Sequence, residues 1–399
     1  MSKYKVVIGG GGFAGIKAAI ELVENEKFDV TLISNRRELQ IYGSLYHTVT
    51  GGSRFVSSVP LSEIFKDRKI NIVIDSIKTL DRKARKLITA TGKEYEYNAL
   101  ILGLGMRTNY FGIKGLAEYS YGIKSLDEAA RLKEHLHMQL TNKAVNKMHY
   151  VVVGGGPTGV ELAGVLPRYI KEISRFHDLP ASTIHVDLIE AAPNLLPRLP
   201  KDIGRSVAKN LRKNGVRVYL NTIVQAQTAD ELMIHNTPIR SHTVVWTAGM
   251  SNNPFFAENG FQLTGRSTVR VDQFLQAEPG IYVLGDNADT PYSGMAQTAL
   301  YDGAYVAKNL IRQLNKQDPV PYKAKKPIYV MPAGDKWAAV LWGKLRIYGR
   351  AGWLLRRIAD LRAYSEYTSW PLAFSRFLAD GDKQESCPHC ADNHTKSLA

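Results

Sequence analysis

The sequence predicts an α/β fold in which one β–α–β unit is inserted into another, and two observations predict it. The β-branched run Val6-Val7-Ile8 enters the glycine turn Gly10-x-Gly12-x-x-Gly15. Tyr150-Val151-Val152-Val153 enters the same turn at Gly154-x-Gly156-x-x-Gly159. In each case a short strand runs into a tight turn and then a helix. The first two glycines let the backbone approach a pyrophosphate, the third lets the helix pack on the strand, and the first helical amides aim at the anion. One such turn is a weak signal. Two in this frame point to one enzyme holding two dinucleotides in two Rossmann-like units.

The remaining elements follow in order. The first unit has a strand at 4–8, a helix from about 14 to 26 and a strand at 29–33. Residues 70–74 and 85–98 alternate between turn residues as short strands do. The run 97–103 is a buried strand ending in glycine. The second unit starts at Met148, with its second strand at 185–190. Strand 243–246 ends in Thr247-Ala248-Gly249, strand 281–284 ends in Gly285-Asp286, and a helix spans about 295–314. The chain therefore divides into residues 1–112 with 250–320, an inserted unit 113–249, a C-terminal region 321–380 and a flexible polar tail 381–399.

Bulk composition agrees. At 399 residues, with 44% hydrophobic and 22% charged content, the chain is globular and long enough for two or three domains. The first strand begins by Lys5, which leaves no room for a secretory signal peptide. No run reaches the ~18 apolar residues of a spanning helix. The only cysteines, Cys387 and Cys390, lie in the tail, so no disulfide framework holds the core and a reducing cytoplasm is expected.

The net charge of +15 calls for an anionic partner. No zinc-finger spacing, RNP-like aromatic motif or basic helical arm is present, so nucleic acid is not expected. Residues 320–380 carry eleven Lys or Arg against four Asp or Glu, together with Trp337, Trp342, Trp353 and Trp370. Basic residues mixed with Trp, Tyr and Leu make an interfacial composition. Leu354, Ile358 and Leu361 share one helical face, with Arg356 and Asp360 opposite. That is the pattern of a helix lying on an anionic membrane, and equally of one docking on a core or a second subunit. With both nucleotide units upstream, the stretch from Lys336 to Phe377 is expected to be removable without loss of the chemistry those units carry.

Strand ends assign the dinucleotides. An acid at the end of the second strand binds the adenosine ribose, and Glu190 holds that place in the inserted unit. Its carboxylate repels the 2′-phosphate of NADP and no arginine adjoins it, so NADH is expected there. The first unit ends instead in Ser34-Asn35-Arg36, with no carboxylate; Ser34 or Asn35 is left to bond the ribose and Arg36 or Arg37 to stack on adenine. Gly285-Asp286, after a late strand and before a helix, supplies a carboxylate suited to a flavin's ribityl hydroxyls. FAD is expected in the first unit.

The ordered set GGGGFAG, YNALILGLG, VVVGGGPTGVE, VVWTAG and IYVLGD resembles the two-dinucleotide-domain FAD/NAD-dependent oxidoreductases, the pyridine nucleotide-disulfide oxidoreductase superfamily. Glu161 after the second fingerprint, the run Ala296-Gln297-Thr298-Ala299-Leu300-Tyr301-Asp302-Gly303 and the basic aromatic C-terminus are similar to type II NADH dehydrogenase, an NADH:quinone oxidoreductase. The resemblance implies FAD contacts at Gly10, Gly12, Phe13, Ala14, Gly15, Gly105, Asp286, Ala296 and Gln297. It implies NADH contacts at Gly154, Gly156, Thr158, Gly159, Glu190, Ala248 and Gly249. It further implies a peripheral place on the cytoplasmic face of the cell membrane; the alternative is a soluble cytoplasmic enzyme. The sequence departs from the family's AQxAxQxG at Tyr301, which replaces the second glutamine. His47 stands at a glutamine of the segment 42–51, and Leu102-Gly103-Leu104-Gly105 replaces alanine-threonine-glycine.

The chemistry implied is hydride transfer from NADH to the flavin, then delivery of two electrons onward. No residue from 1 to 386 is a cysteine, so disulfide and sulfide routes fail. Glu161 either orders water, orients the carboxamide or relays protons to a quinone, or simply complements a helix macrodipole. Gln297 contacts flavin or quinone, or is a surface glutamine; Tyr301 and His47 donate to quinone oxygens or are packed side chains. Cys387-Pro388-His389-Cys390 reads as two thiols in a flexible tail. Besides a quinone reductase, the residues admit a soluble reductase of a ferredoxin-like protein, or a slow redox-sensing flavoprotein.

Overall fold

The computed structural model describes residues 3–141, 148–176 and 184–379. In chain order these form β1 (Tyr4–Gly9), α1 (Phe13–Val23), β2 (Phe28–Ser34), α2 (Leu45–Val49), β3 (Asn71–Ile74), β4 (Ala99–Leu102) and α3 (Leu126–Thr141). The middle of the chain gives β5 (Met148–Val153), α4 (Pro157–Phe176), β6 (Ile184–Ile189), α5 (Lys201–Lys213), β7 (Val216–Tyr219) and β8 (Thr243–Trp246). Then come β9 (Gln276–Glu278), β10 (Ile281–Val283), α6 (Ala296–Leu314), β11 (Tyr329–Pro332), β12 (Ala338–Trp342), β13 (Leu345–Gly349), α7 (Arg350–Ser365) and α8 (Trp370–Ala379), with shorter elements between. The tail with Cys387 and Cys390 lies outside the described residues.

Two sheets carry the architecture. One has six strands in the order β9-β10-β4-β1-β2-β3, parallel except for β9 at the edge. The other has four parallel strands in the order β7-β6-β5-β8. All of the second sheet comes from chain between β4 and β10, and the passage out and back is an antiparallel pair, Met106–Thr108 with Met250–Asn252. Val6, Val7 and Ile8 are almost wholly buried, as are Tyr150 to Val152. Helices cover one face of each parallel sheet and a three-stranded antiparallel sheet (within residues 77–96 and 224–240) covers most of the other, which is why these strands are apolar throughout rather than alternating. Gly303 decides how closely α6 can cross α1, because a Cβ there would strike the carbonyl oxygen of Ala14.

The C-terminal region differs from the helical segment expected. An antiparallel sheet, β11-β12-β13, precedes the two helices. Met331, Ala333, Ala339 and Leu341 are buried in the same core as Val152 and Leu188, while Tyr367 joins the core of the first sheet. Arg376, fully buried on α8, pairs with Glu63 at 2.9 Å and donates to the carbonyls of Phe55 and Ser58. Tyr364 donates to Val56 O at 2.7 Å, and Lys17 on α1 to Glu366 at 2.8 Å. The region closes the cores of both units, so it is not a removable appendage, contrary to the expectation from chain order.

Candidate active site

The two glycine turns share one geometry. Gly10 and Gly154 take φ of +114° and +115°, a range that disfavours any side chain. A Cβ at Gly10 would strike Gly103 O, and one at Gly154 would meet Ala248 N at 2.7 Å. Gly15 and Gly159 lie against the carbonyls of Gly10 and Gly154, letting α1 and α4 close on their strands. Between them Gly156 faces open space, and the nearest atom to a Cβ at Gly12 is 4.0 Å away. Gly12 offers α1 no side-chain cap. Each turn therefore presents an uncapped or open helix start, with neighbouring glycine backbone bare, which fits a pyrophosphate. Phe13 and Ala14 open α1, and Thr158 lies in the first turn of α4.

The strand ends differ as the sequence suggested. Glu190 follows β6 directly, and its carboxylate accepts from Gly155 N–H at 2.5 Å and from Ala192 N–H at 2.7 Å. It is thereby fixed beside the second turn. Ser34 lies under Gly11, but its hydroxyl donates to Arg36 O at 2.8 Å and accepts from Arg36 N–H. That local turn engages the hydroxyl within the protein. Asn35 is exposed, and Arg36 is drawn to Gln40 at 2.7 Å.

Asp286 accepts from Gly294 N–H at 3.0 Å; burial raises its pKa, opposed by that bond and by Lys124 and Arg198. Two residues that sequence reasoning passed over hold this loop. Asp302, fully buried on α6, accepts from Gly285 N–H at 3.1 Å and from the Tyr322 hydroxyl at 2.6 Å, and burial raises its pKa to about 6. Asn287, also fully buried, exchanges two 2.9 Å hydrogen bonds with the backbone of Gly105 and donates to Asn252 at 2.6 Å. Gly105 and Gly285-Asp286 thus face the first turn as one rigid piece. The only sequence signal for either residue was its place beside a motif.

On the second unit, Thr247 donates to Val153 O at 2.9 Å, which holds Ala248 and Gly249 next to the glycine turn. Gly249 has φ of +76° with the Phe111 ring against it. Glu161, one helical turn into α4, is buried and meets a partner from the far end of the chain. Arg356 donates to it at 3.2 Å, to both oxygens of Asp360 at 2.8 Å, and to Gly43 O at 2.7 Å. Burial lifts the Glu161 pKa to about 7 against the pull of Arg356. The rings of Tyr46 and His47 on α2 lie tilted against each other, centroids 4.1 Å apart, beside this cluster. Burial, with help from Arg356 and Arg357, lowers His47 to about 3, so it stands neutral at physiological pH. The helix face holding Arg356 and Asp360 is the inner one, and Leu354 and Ile358 face out, each 56% exposed.

The α6 motif is arranged unlike Glu161. The Gln297 amide donates to Ile328 O at 3.3 Å and accepts from Ile328 N–H at 3.1 Å. Tyr301 sits under Lys325 at 4.3 Å and beside Tyr322 at 5.7 Å. Further along the same face, Tyr305 donates to Val320 O at 2.7 Å and Asn309 holds Val320 from both sides. This face of α6 binds the segment leading into β11, and Ala296 is exposed at its start.

Known proteins share this architecture. The pyridine nucleotide-disulphide oxidoreductase family matches residues 4–303. The type II NADH:quinone oxidoreductase of Staphylococcus aureus is 26% identical over 396 residues, covering 93% of this chain and 98% of its own. A structure of NDH2 from Plasmodium falciparum in complex with NADH superposes with a TM-score of 0.84 at 19% identity, covering 95% of this chain and 97% of that one. The sulfide:quinone oxidoreductase of Aquifex aeolicus has a TM-score of 0.77 at 18% identity, covering 94% and 92%.

Proposed function

The chain belongs to the pyridine nucleotide-disulphide oxidoreductase family, and on that premise we propose that it is an FAD-dependent NADH:quinone oxidoreductase. The observation that carries this reading is a pair of glycine cradles in a chain with no cysteine from 1 to 386. With no thiol to receive them, electrons leave to a diffusible acceptor, as the names of the full-length relatives suggest. When bound, FAD supplies the hydride acceptor and the two-electron donor.

The residues divide that work. Gly10, Gly12 and Gly15 with the start of α1 hold the flavin nucleotide's pyrophosphate; Asp286, braced by Asp302, holds the ribityl chain, and Gly105, braced by Asn287, completes the pocket. Gly154, Gly156, Thr158 and Gly159 bind the NADH pyrophosphate, Glu190 its ribose, and Ala248-Gly249 lead towards the nicotinamide. Glu161 exchanges protons beside the flavin. Gln297 and Tyr301 act by positioning the chain from 320 to 328. Residues 1–112 with 250–320 form the FAD unit, 113–249 the NADH unit, and 321–380 the attachment region; this division is supported by the sheet order.

No helix among the described residues is long and apolar enough to cross a membrane. The attachment region instead exposes Trp342, Leu345, Leu354, Ile358, Trp370, Phe374 and Leu378, each more than half exposed. Interleaved with Lys344, Arg346 and Arg350, these side chains suit an anionic bilayer on the cytoplasmic face; a homodimer interface is the other outcome of a vesicle-binding test. To test the activity, FAD-loaded protein is assayed with NADH against a short-chain quinone and a ferredoxin. Quinone reduction at a rate well above the ferredoxin rate is expected. Turnover with ferredoxin alone would overturn the reading.

A further inference from the structure

Arg356 is shared between two carboxylates on different elements, and the division is unequal. Asp360, four residues along α7, takes the guanidinium Nε at 2.8 Å to each oxygen; Glu161 of α4 receives one contact from Nη1, at 3.2 Å. The side chains of Arg356, Glu161 and Asp360 are only 12%, 8% and 25% exposed, so water screens their mutual field weakly. The other ionisable groups around them are Tyr46 and His47 of α2, and Arg357 and Tyr364 of α7. His47 stands neutral and the tyrosines uncharged at neutral pH. Burial does most to raise Glu161, and among its charged neighbours the balance lies between Arg356, which lowers it, and Asp360, which raises it.

Resting on the reading of Glu161 as the proton-exchanging group, we propose that Asp360 is a positioning residue that sets the charge of Glu161 by competing for the Arg356 guanidinium. It acts in two ways of the same sign. It draws Arg356 off Glu161, and its own negative charge opposes a second one nearby. Both keep Glu161 protonated at a pH where a carboxyl paired to a free guanidinium would ionise. The proposal requires opposite effects from two neighbours on one helix. Removing the Asp360 charge should make Glu161 more acidic, and removing the Arg356 charge should make it less so.

The test compares wild type with Asp360→Asn, Arg356→Gln and Arg356→Lys, each with and without Glu161→Gln. Subtracting the Glu161→Gln melting temperature across pH isolates Glu161 ionisation in the folded, FAD-loaded protein, independently of turnover. The midpoint should fall by about one pH unit in Asp360→Asn and rise by about as much in Arg356→Gln, with Arg356→Lys near wild type. If Arg356→Gln does not fold, Asp360→Asn and Arg356→Lys still decide. An unmoved midpoint, or one that rises in Asp360→Asn, overturns the proposal. The pH profile of quinone reduction is measured in parallel. A shifted melting series with an unshifted rate profile would uphold the tuning and instead remove Glu161 from the reaction.

Discussion

At the scale of single residues, the account turns on two glutamates with opposite environments. Burial raises Glu161 to about 7, so in the folded protein it holds a proton that an unfolded carboxyl has lost. Its contribution to stability is complete below the ordinary carboxyl range, declines as pH climbs towards 7, and is gone above it. Glu161→Gln should therefore gain in relative stability from pH 5 to 8, as thermal melts would read. If its acid form delivers protons, quinone reduction in wild type should fall as pH passes about 7, and the Gln variant should lack that limb. Glu190 is different: two backbone N–H groups hold its carboxylate at the strand end. NADH should be favoured over NADPH by about 10-fold or more in kcat/KM, and Glu190→Gln should narrow that ratio. Equal use of both cofactors by wild type would show that the ribose lies elsewhere. Glu190 was legible from position alone, because a strand followed by an acid is a local pattern. The Arg356 link was not, since it joins residues 195 positions apart that no local periodicity relates.

At the scale of elements, α7 shows how far an amphipathic pattern can be read. Its two faces are separated as the spacing of Leu354, Ile358 and Leu361 implies, yet the charged face is the one turned inwards. A helical wheel gives two faces but not which one the fold covers; Glu161 and Gly43, distant in sequence, decide it. Leu354→Ser with Ile358→Ser should then reduce binding to anionic vesicles without lowering the melting temperature. Binding should weaken with salt but persist through the apolar contribution. Loss of fold in that variant would show that the face is packed. Arg376 behaves oppositely: Arg376→Met leaves Glu63 and two carbonyls without their buried partner and should cost about 3 kcal/mol in denaturant unfolding. On α6, Asp302→Asn keeps the shape but loses an anionic acceptor for Gly285 N–H and Tyr322. FAD should dissociate more readily from it, as flavin fluorescence on dilution would record; unchanged retention would separate Asp302 from the flavin loop.

At the scale of the whole molecule, the nested order of the two sheets was legible because each fingerprint marks its own unit, and the strands near 100, 245 and 283 fall where parallel crossovers require them. The short strands β11 to β13 were missed, as a basic, Trp-bearing stretch reads by composition before it reads by alternation. Their burial against α4 and α5 ties the attachment region into the core of the second sheet, and Tyr367 ties it into that of the first; for this reason truncation before Lys336 should abolish soluble expression rather than merely release the enzyme from lipid. The central claim is that electrons enter from NADH and leave to a quinone through one bound flavin. Anaerobic stopped-flow absorbance on the FAD-loaded protein tests it most directly. NADH should bleach the flavin band, and a short-chain quinone added next should restore it within the turnover time. A flavin that NADH reduces but quinone leaves bleached, while a ferredoxin or oxygen restores it, would contradict the account.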